Sequence, residues 1–123
     1  MITDKERLTA LVILGIKDTE TFPLIFYRDN CADMAITADD VSEQHIASAR
    51  CLAITGTHLS NPQTREAVLT PLKYARRHGV KTALDIDYRP ILWGLTSLGD
   101  GETRFIASEA VTTPLKDVLH CHL

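Results

Sequence analysis

Three charged side chains crowd the stretch Asp85-Ile-Asp87-Tyr-Arg89, where a short apolar run (Val80, Thr82, Ala83, Leu84, Ile86) comes to its end. An arginine in such a place can hold an anion with a fork of donors, which phosphoryl transfer requires. In an extended chain the period of two puts Asp85 and Asp87 on one face. The same residues admit a plainer role, in which Asp85 orders the loop by accepting backbone donors and Arg89 pairs with it. The only tryptophan, Trp93, follows shortly after and is apolar enough to anchor whatever loop carries Arg89.

Two other polar groups sit at the ends of apolar runs. Thr55-Gly56-Thr57-His58 follows Cys51-Leu-Ala-Ile-Thr55, and His58 reads either as a hydrogen-bonded loop residue or as a proton-transfer group. Tyr27-Arg28-Asp29-Asn30 follows Phe22-Pro-Leu-Ile-Phe26, where an arginine is either solvated or a ligand contact. The tail His120-Cys121-His122 has metal-binding residue types, but its spacing fits no zinc pattern, so a frayed end and no metal are expected. Neither common phosphate-binding loop occurs: there is no G-x-x-x-x-G-K-[ST] and no G-x-G-x-x-G, and Gly99-Asp-Gly101 lacks a third glycine. No nucleophile elbow is present.

The elements that must position these residues are legible from pattern and caps. Thr9 to Lys17 and Phe22 to Arg28 are rich in β-formers and are joined by the polar Asp18-Thr-Glu-Thr21, which predicts a hairpin. Both strands are apolar on both faces, so the hairpin is expected to be covered on each side; Pro23 belongs at a strand start or an edge. Thr37 to Ala49 reads as a short helix with Asp40 closing a capping box on Thr37. Asn61-Pro62 opens a longer helix that runs to His78, before Gly79; Pro71 inside it predicts a kink. Flanking strands at 51–55 and 80–86 make a right-handed parallel βαβ unit. After a loop over 88–104, Phe105 to Leu119 reads as a helix interrupted at Pro114. In an open parallel sheet, ligands bind beyond the carboxyl ends of the strands, which gathers residues 55–58 and 85–89 at one crevice. One βαβ unit with a hairpin is a thin core for strands this apolar, and it suggests a piece of a larger α/β layer.

With 123 residues, 45% hydrophobic and 24% charged, the chain has the composition of a globular domain. A net charge of −3 with no basic cluster longer than Arg76-Arg77 argues against nucleic acid. The longest apolar run, Leu8 to Ile16, is about half a membrane span. The start MITDKERL has no signal-peptide character, and three cysteines without pairing spacing suit a reducing cytoplasm.

Three motifs occur together: Leu24-Ile-Phe-Tyr-Arg-Asp-Asn-Cys-Ala-Asp-Met-Ala-Ile36, then Ile54-Thr-Gly-Thr-His-Leu-Ser60, then Asp85-Ile-Asp-Tyr-Arg-Pro-Ile-Leu-Trp-Gly94. In this order they resemble the ribokinase-like (PfkB) carbohydrate kinases over about residues 5 to 120, and most of all the branch acting on 5-dehydro-2-deoxygluconate in myo-inositol catabolism. Kinases of 2-keto-3-deoxygluconate share a similar lid arginine and strand-end pattern and are the alternative within the family. The family's strand end is Asp-x-Asn-x-Arg; Asp85 and Arg89 match it, while Asp87 stands in place of asparagine.

The resemblance implies part of a three-layer α/β sandwich: a β-hairpin lid region at 1–36 and a partial α/β core at 37–123. It places Arg89 and Asp87 toward a sugar acid, with Arg89 also reaching the transferred phosphate. Arg28, Tyr27 and Phe26 fall in the lid that closes over that substrate, Thr9 on a lid strand touching it, and Asp85, Gly56 and Trp93 in supporting roles. The complete enzyme would use ATP and Mg2+, with its base and anion hole in motifs that lie after residue 123 in the family order and its Gly-Gly-Asn sugar motif before residue 1. This chain is then expected to hold no catalytic residue, to bind no cofactor, to bind a sugar acid only weakly, and to pair with a second copy through the hairpin. A different class of reading is a non-catalytic lid or dimerisation module.

Overall fold

A computed structural model describes residues 2–20, 22–96 and 106–122. The hairpin forms from β1 (Leu11–Leu14) and β2 (Leu24–Tyr27), antiparallel with Leu11 opposite Tyr27 and Leu14 opposite Leu24. The Gly15 N–H donates to the Pro23 carbonyl at 2.8 Å, so Pro23 sits just before β2, where its missing donor costs nothing. The strands are shorter than the runs of β-formers, the ladder running only from Leu11 opposite Tyr27 to Leu14 opposite Leu24. Thr21, the last residue of the polar link between the two runs, lies outside the described residues.

The expectation that both faces of the hairpin are covered is not met. All four residues of β1 are exposed, Leu14 to 57%, and no second layer lies over them among the described residues. The apolar pattern states a need for cover, and the described part of this chain does not supply it.

The single helix expected over 37–49 is divided. The Asp40 carboxylate accepts the Thr37 backbone N–H at 2.9 Å and closes one 3₁₀ turn at Ala38–Asp40. The Ser42 hydroxyl then accepts the His45 N–H at 3.3 Å and starts a separate short helix, α1 (Glu43–Ala47). Two caps five residues apart compete for one backbone, and each takes its own turn.

The βαβ unit is as predicted: β3 (Cys51–Thr55), α2 (Pro62–His78) and β4 (Lys81–Asp85), with β3 and β4 parallel and in register from Cys51 opposite Lys81 to Thr55 opposite Asp85. The Asn61 side chain accepts the Gln63 N–H at 2.8 Å, and Gly79 ends the helix at φ 66°, in the left-handed region where a Cβ is penalised. Pro71 is buried inside a helix that runs on past it.

Helix α3 (Glu109–His122) also continues through its proline, Pro114, which corrects the expected interruption. The tail expected to fray forms its last turn. Phe105, where that helix was expected to begin, lies outside the described residues, as do Gly99 to Gly101. The core gathers Ile54, Leu59, Leu72 and Val118, with Leu52, Leu84, Leu115 and Trp93 packed around them. Complete burial of a side chain such as Leu59 or Leu72 is worth about 1.5–3 kcal/mol. Among the described residues, one face of the parallel sheet packs on the core. Cys51, Ala53 and Thr55 on β3, with Lys81, Ala83 and Asp85 on β4, face away and are exposed. Among the described residues no helix is long and apolar enough to cross a membrane.

Candidate functional site

Beyond β3 the chain turns at once into a 3₁₀ segment, Gly56–Ser60, and it can do so only because residue 56 has no side chain. A Cβ on Gly56 would lie 1.9 Å from the Ile86 carbonyl oxygen. This close crossing brings Thr57 against the end of β4, where its hydroxyl donates to Asp87 Oδ2 at 2.6 Å.

Asp87 takes a positive φ of 28°, which breaks the strand alternation. Asp85 and Asp87 therefore do not share a strand face as expected. The Asp87 N–H donates to Asp85 Oδ1 at 3.2 Å, so Asp85 does accept a backbone donor in the loop. Arg89, however, pairs with Asp87 (Nε to Oδ1, 3.2 Å), which corrects the reading that joined it to Asp85. The bend points the Asp87 carboxylate both at Thr57 and at the guanidinium.

Trp93 ends the 3₁₀ turn Pro90–Trp93 directly after Arg89 and packs on the core. The Arg65 guanidinium lies 5.9 Å from the centre of its ring and donates through Nε to the Leu59 carbonyl at 2.8 Å. One α2 residue thus ties the 56–60 segment to the turn that follows Arg89, a cation–π contact adding to the packing.

On the other side of the 55–58 segment lies the hairpin's exit. Arg28 is only 11% exposed and donates through Nε (2.8 Å) and Nη2 to Asp33 Oδ2. His58 Nε2 lies 3.4 Å from Arg28 Nη2, and its Nδ1 lies 3.5 Å from the Thr55 hydroxyl. The 55–58 segment therefore touches the Arg28 group through His58 and the Arg89 group through Thr57. Phe26 is half-buried in β2 beside the exposed Tyr27; Thr9 is exposed before β1, and no hydrogen bond joins it to these groups among the described residues. Asp33, which sequence reasoning passed over, is the main partner of Arg28. It lies five residues on, inside the 3₁₀ turn Ala32–Ala35, at a separation that neither helical nor strand spacing pairs. Among the described residues no group of three His, Cys, Asp or Glu side chains is placed to hold a metal.

Burial, and next the nearby Arg28 cation, hold the His58 imidazole below its ordinary pKa, while Asp33 pulls the other way. With the folded value depressed, the unfolded chain binds more protons as pH drops. The stability His58 allows is therefore full above about pH 6.5 and is lost as pH falls through the folded value. Glu43, held low mainly by His78 and then Arg77, loses its contribution only in the carboxylate range, below that window. Urea midpoints are expected to fall between pH 7.5 and 5.5, and His58→Asn should flatten that slope. An unchanged slope in the variant would remove His58 as the source.

This arrangement of hairpin, parallel strands and crossing loops recurs in solved structures. A PfkB protein from Polaromonas sp. JS666 superposes with a TM-score of 0.76 over 95% of this chain and 36% of its own length, at 23% identity. A fructokinase from Xylella fastidiosa gives 0.67 over 73% of this chain and 29% of its own, at 19% identity. The fold is therefore a portion of the PfkB carbohydrate kinase fold. Sequence narrows this further: the chain is homologous to proteins named 5-dehydro-2-deoxygluconokinase. The one from Geobacillus thermodenitrificans is 45% identical over 94 residues, which is 76% of this chain and 28% of that protein. One from Bacillus anthracis is 42% identical over 85 residues. The chain spans just over a quarter of the length of these curated relatives. No family model matches it.

Proposed function

We propose that this chain is the lid region and part of the acceptor side of an ATP-dependent kinase whose substrate is 5-dehydro-2-deoxygluconate. The observation that carries the reading is the 45% identity over 94 residues to kinases named for that substrate. In support, two arginines flank one short segment beyond the strand ends, Arg28 through His58 and Arg89 through Asp87 and Thr57, each beside an aspartate. Arg28, with Phe26 and Tyr27, closes over the sugar acid, and Arg89 holds charge near the transferred phosphate. Asp87 orients Arg89, Asp85 orders the bend between them, and Trp93 and Gly56 keep the loop in place. Thr9 contributes from the lid strand. ATP and Mg2+ supply the phosphoryl group and its charge neutralisation; the base and the anion hole are not among this chain's motifs. Such a kinase works in the cytoplasm, in keeping with the free thiols of Cys31 and Cys51.

On this reading the 123-residue chain binds 5-dehydro-2-deoxygluconate weakly, moving the Arg28 and Arg89 side-chain NMR signals. With ATP and magnesium it releases no ADP above a protein-free blank. Turnover that survives repurification and disappears in Arg89→Ala would overturn the assignment of the base to another part of the enzyme.

The bare apolar strand β1 favours a second role beside this one, pairing with a second copy of the hairpin. Leu11, Val12, Ile13 and Leu14 offer an uncovered surface and an open edge. Sedimentation should show concentration-dependent self-association that the double variant Val12→Lys, Leu14→Lys removes. A monomer at all concentrations would refute this role.

A further inference from the structure

An arginine fork that meets a carboxylate side-on usually engages both of its oxygens. Arg28 does not. Its Nε and Nη2 both point at Asp33 Oδ2, and Asp33 Oδ1 is buried with no hydrogen-bond partner among the described residues. A buried acceptor left unmatched beside a held cation is costly unless something else is meant to satisfy it. His58 closes the near side, 3.4 Å from Arg28 Nη2 and 4.0 Å from Asp33 Oδ2. Its ring is biased toward the neutral form and so adds no second full charge.

We infer that Asp33 is a specificity-determining residue: beside Arg28 it forms a donor and an acceptor set for an acid that also carries hydroxyls, the guanidinium taking the carboxylate and Oδ1 taking a hydroxyl. The chemistry selects in two directions. A simple carboxylate meets Arg28 already engaged by Asp33 and gains nothing from Oδ1. A neutral polyol can satisfy Oδ1 but offers the cation no charge. Only a hydroxylated acid uses both groups. Asp33 is thereby more than a clamp on Arg28, since a clamp has no need of an unpaired oxygen. The inference rests on the sugar-acid reading of Arg28 given above, and it adds the residue that would tell such an acid from a plain one.

The test is an NMR titration of the whole chain, without nucleotide, with D-gluconate, acetate and D-glucitol in turn, following the Arg28 Nε–H and the His58 ring. The parent chain should bind gluconate about fivefold to tenfold more tightly than either control, the worth of one further hydrogen bond. Asp33→Ala and Asp33→Asn should tighten acetate, because the guanidinium loses its competitor, while weakening gluconate, so that the preference collapses. Proportional weakening of both ligands would reduce Asp33 to a clamp and overturn the proposal. Equal binding of gluconate and acetate by the parent, or no binding, would overturn it without recourse to a variant. Because nothing is phosphorylated in this experiment, a whole enzyme that failed to act on 5-dehydro-2-deoxygluconate would defeat the kinase reading while leaving a measured preference for hydroxylated acids intact.

Discussion

Gly56→Ala is expected to abolish the cooperative folding of this chain. The added methyl would lie 1.9 Å from the Ile86 carbonyl oxygen and 2.9 Å from its carbon, whereas ordinary contact begins near 3.4 Å. The obstacle is backbone, so no side chain can swing aside. Relief requires β3 and the exit of β4 to separate, which disturbs the Thr57–Asp87 hydrogen bond and the packing of Ile54 and Leu84 beneath. Overpacking in a tight interior costs about 1–3 kcal/mol even where side chains can yield. A forced backbone displacement belongs above that range, in a chain whose total stability is on the order of 5–15 kcal/mol at most. Gly79→Ala is the control. Nothing lies within 4 Å of its Cβ position, so only the positive φ of 66° is penalised, at about 1–2 kcal/mol. Urea titration followed by Trp93 fluorescence distinguishes the two. A Gly56→Ala midpoint as high as that of Gly79→Ala would show that the crossing yields and that the glycine is not required.

Arg89→Ala, placed at the matching arginine of a complete 5-dehydro-2-deoxygluconokinase, is expected to lower kcat/KM by about a hundredfold or more, the usual cost of losing one oriented charge at a transferring group. The fall should lie mainly in kcat if the guanidinium meets charge that grows in the transition state, and in KM if it only holds the sugar acid. Asp87 supplies the internal check. Its carboxylate is ion-paired with Arg89 Nε at 3.2 Å and accepts the Thr57 hydroxyl at 2.6 Å, so Asp87→Ala should misdirect Arg89 and reproduce part of the loss. Asp87→Asn keeps an acceptor and a residue tolerant of positive φ, and should restore most of it. If the two single losses simply add, Arg89 and Asp87 act separately. Near-normal kinetics in Arg89→Ala would leave the arginine only as a structural partner of Asp87.

What the sequence by itself determined is what acts within one turn of chain. Asn61 and Gly79 bound α2 because a cap bonds to residues two or three positions away. The β-formers of 51–55 and 80–86, separated by that helix, leave a parallel pairing as the natural arrangement. The polar link between two apolar runs made the hairpin, and the strand-end rule singled out the two segments, 55–58 and 85–89, that do meet. Only the tertiary structure decided who pairs with whom inside them. The Thr57–Asp87 and Arg28–His58 contacts each join residues 30 positions apart, and the first is made where a backbone crossing at Gly56 admits no side chain. Asp87 left the strand register through its positive φ, so a period of two could not follow it, and Arg89 went with it. Arg28 found Asp33, inside a 3₁₀ turn, at a five-residue separation that neither helical nor strand periodicity pairs. Pattern reports which residues need burial or a partner; whether the need is met depends on which surfaces the folded chain brings together. For β1 none is brought among the described residues, and its leucines remain exposed.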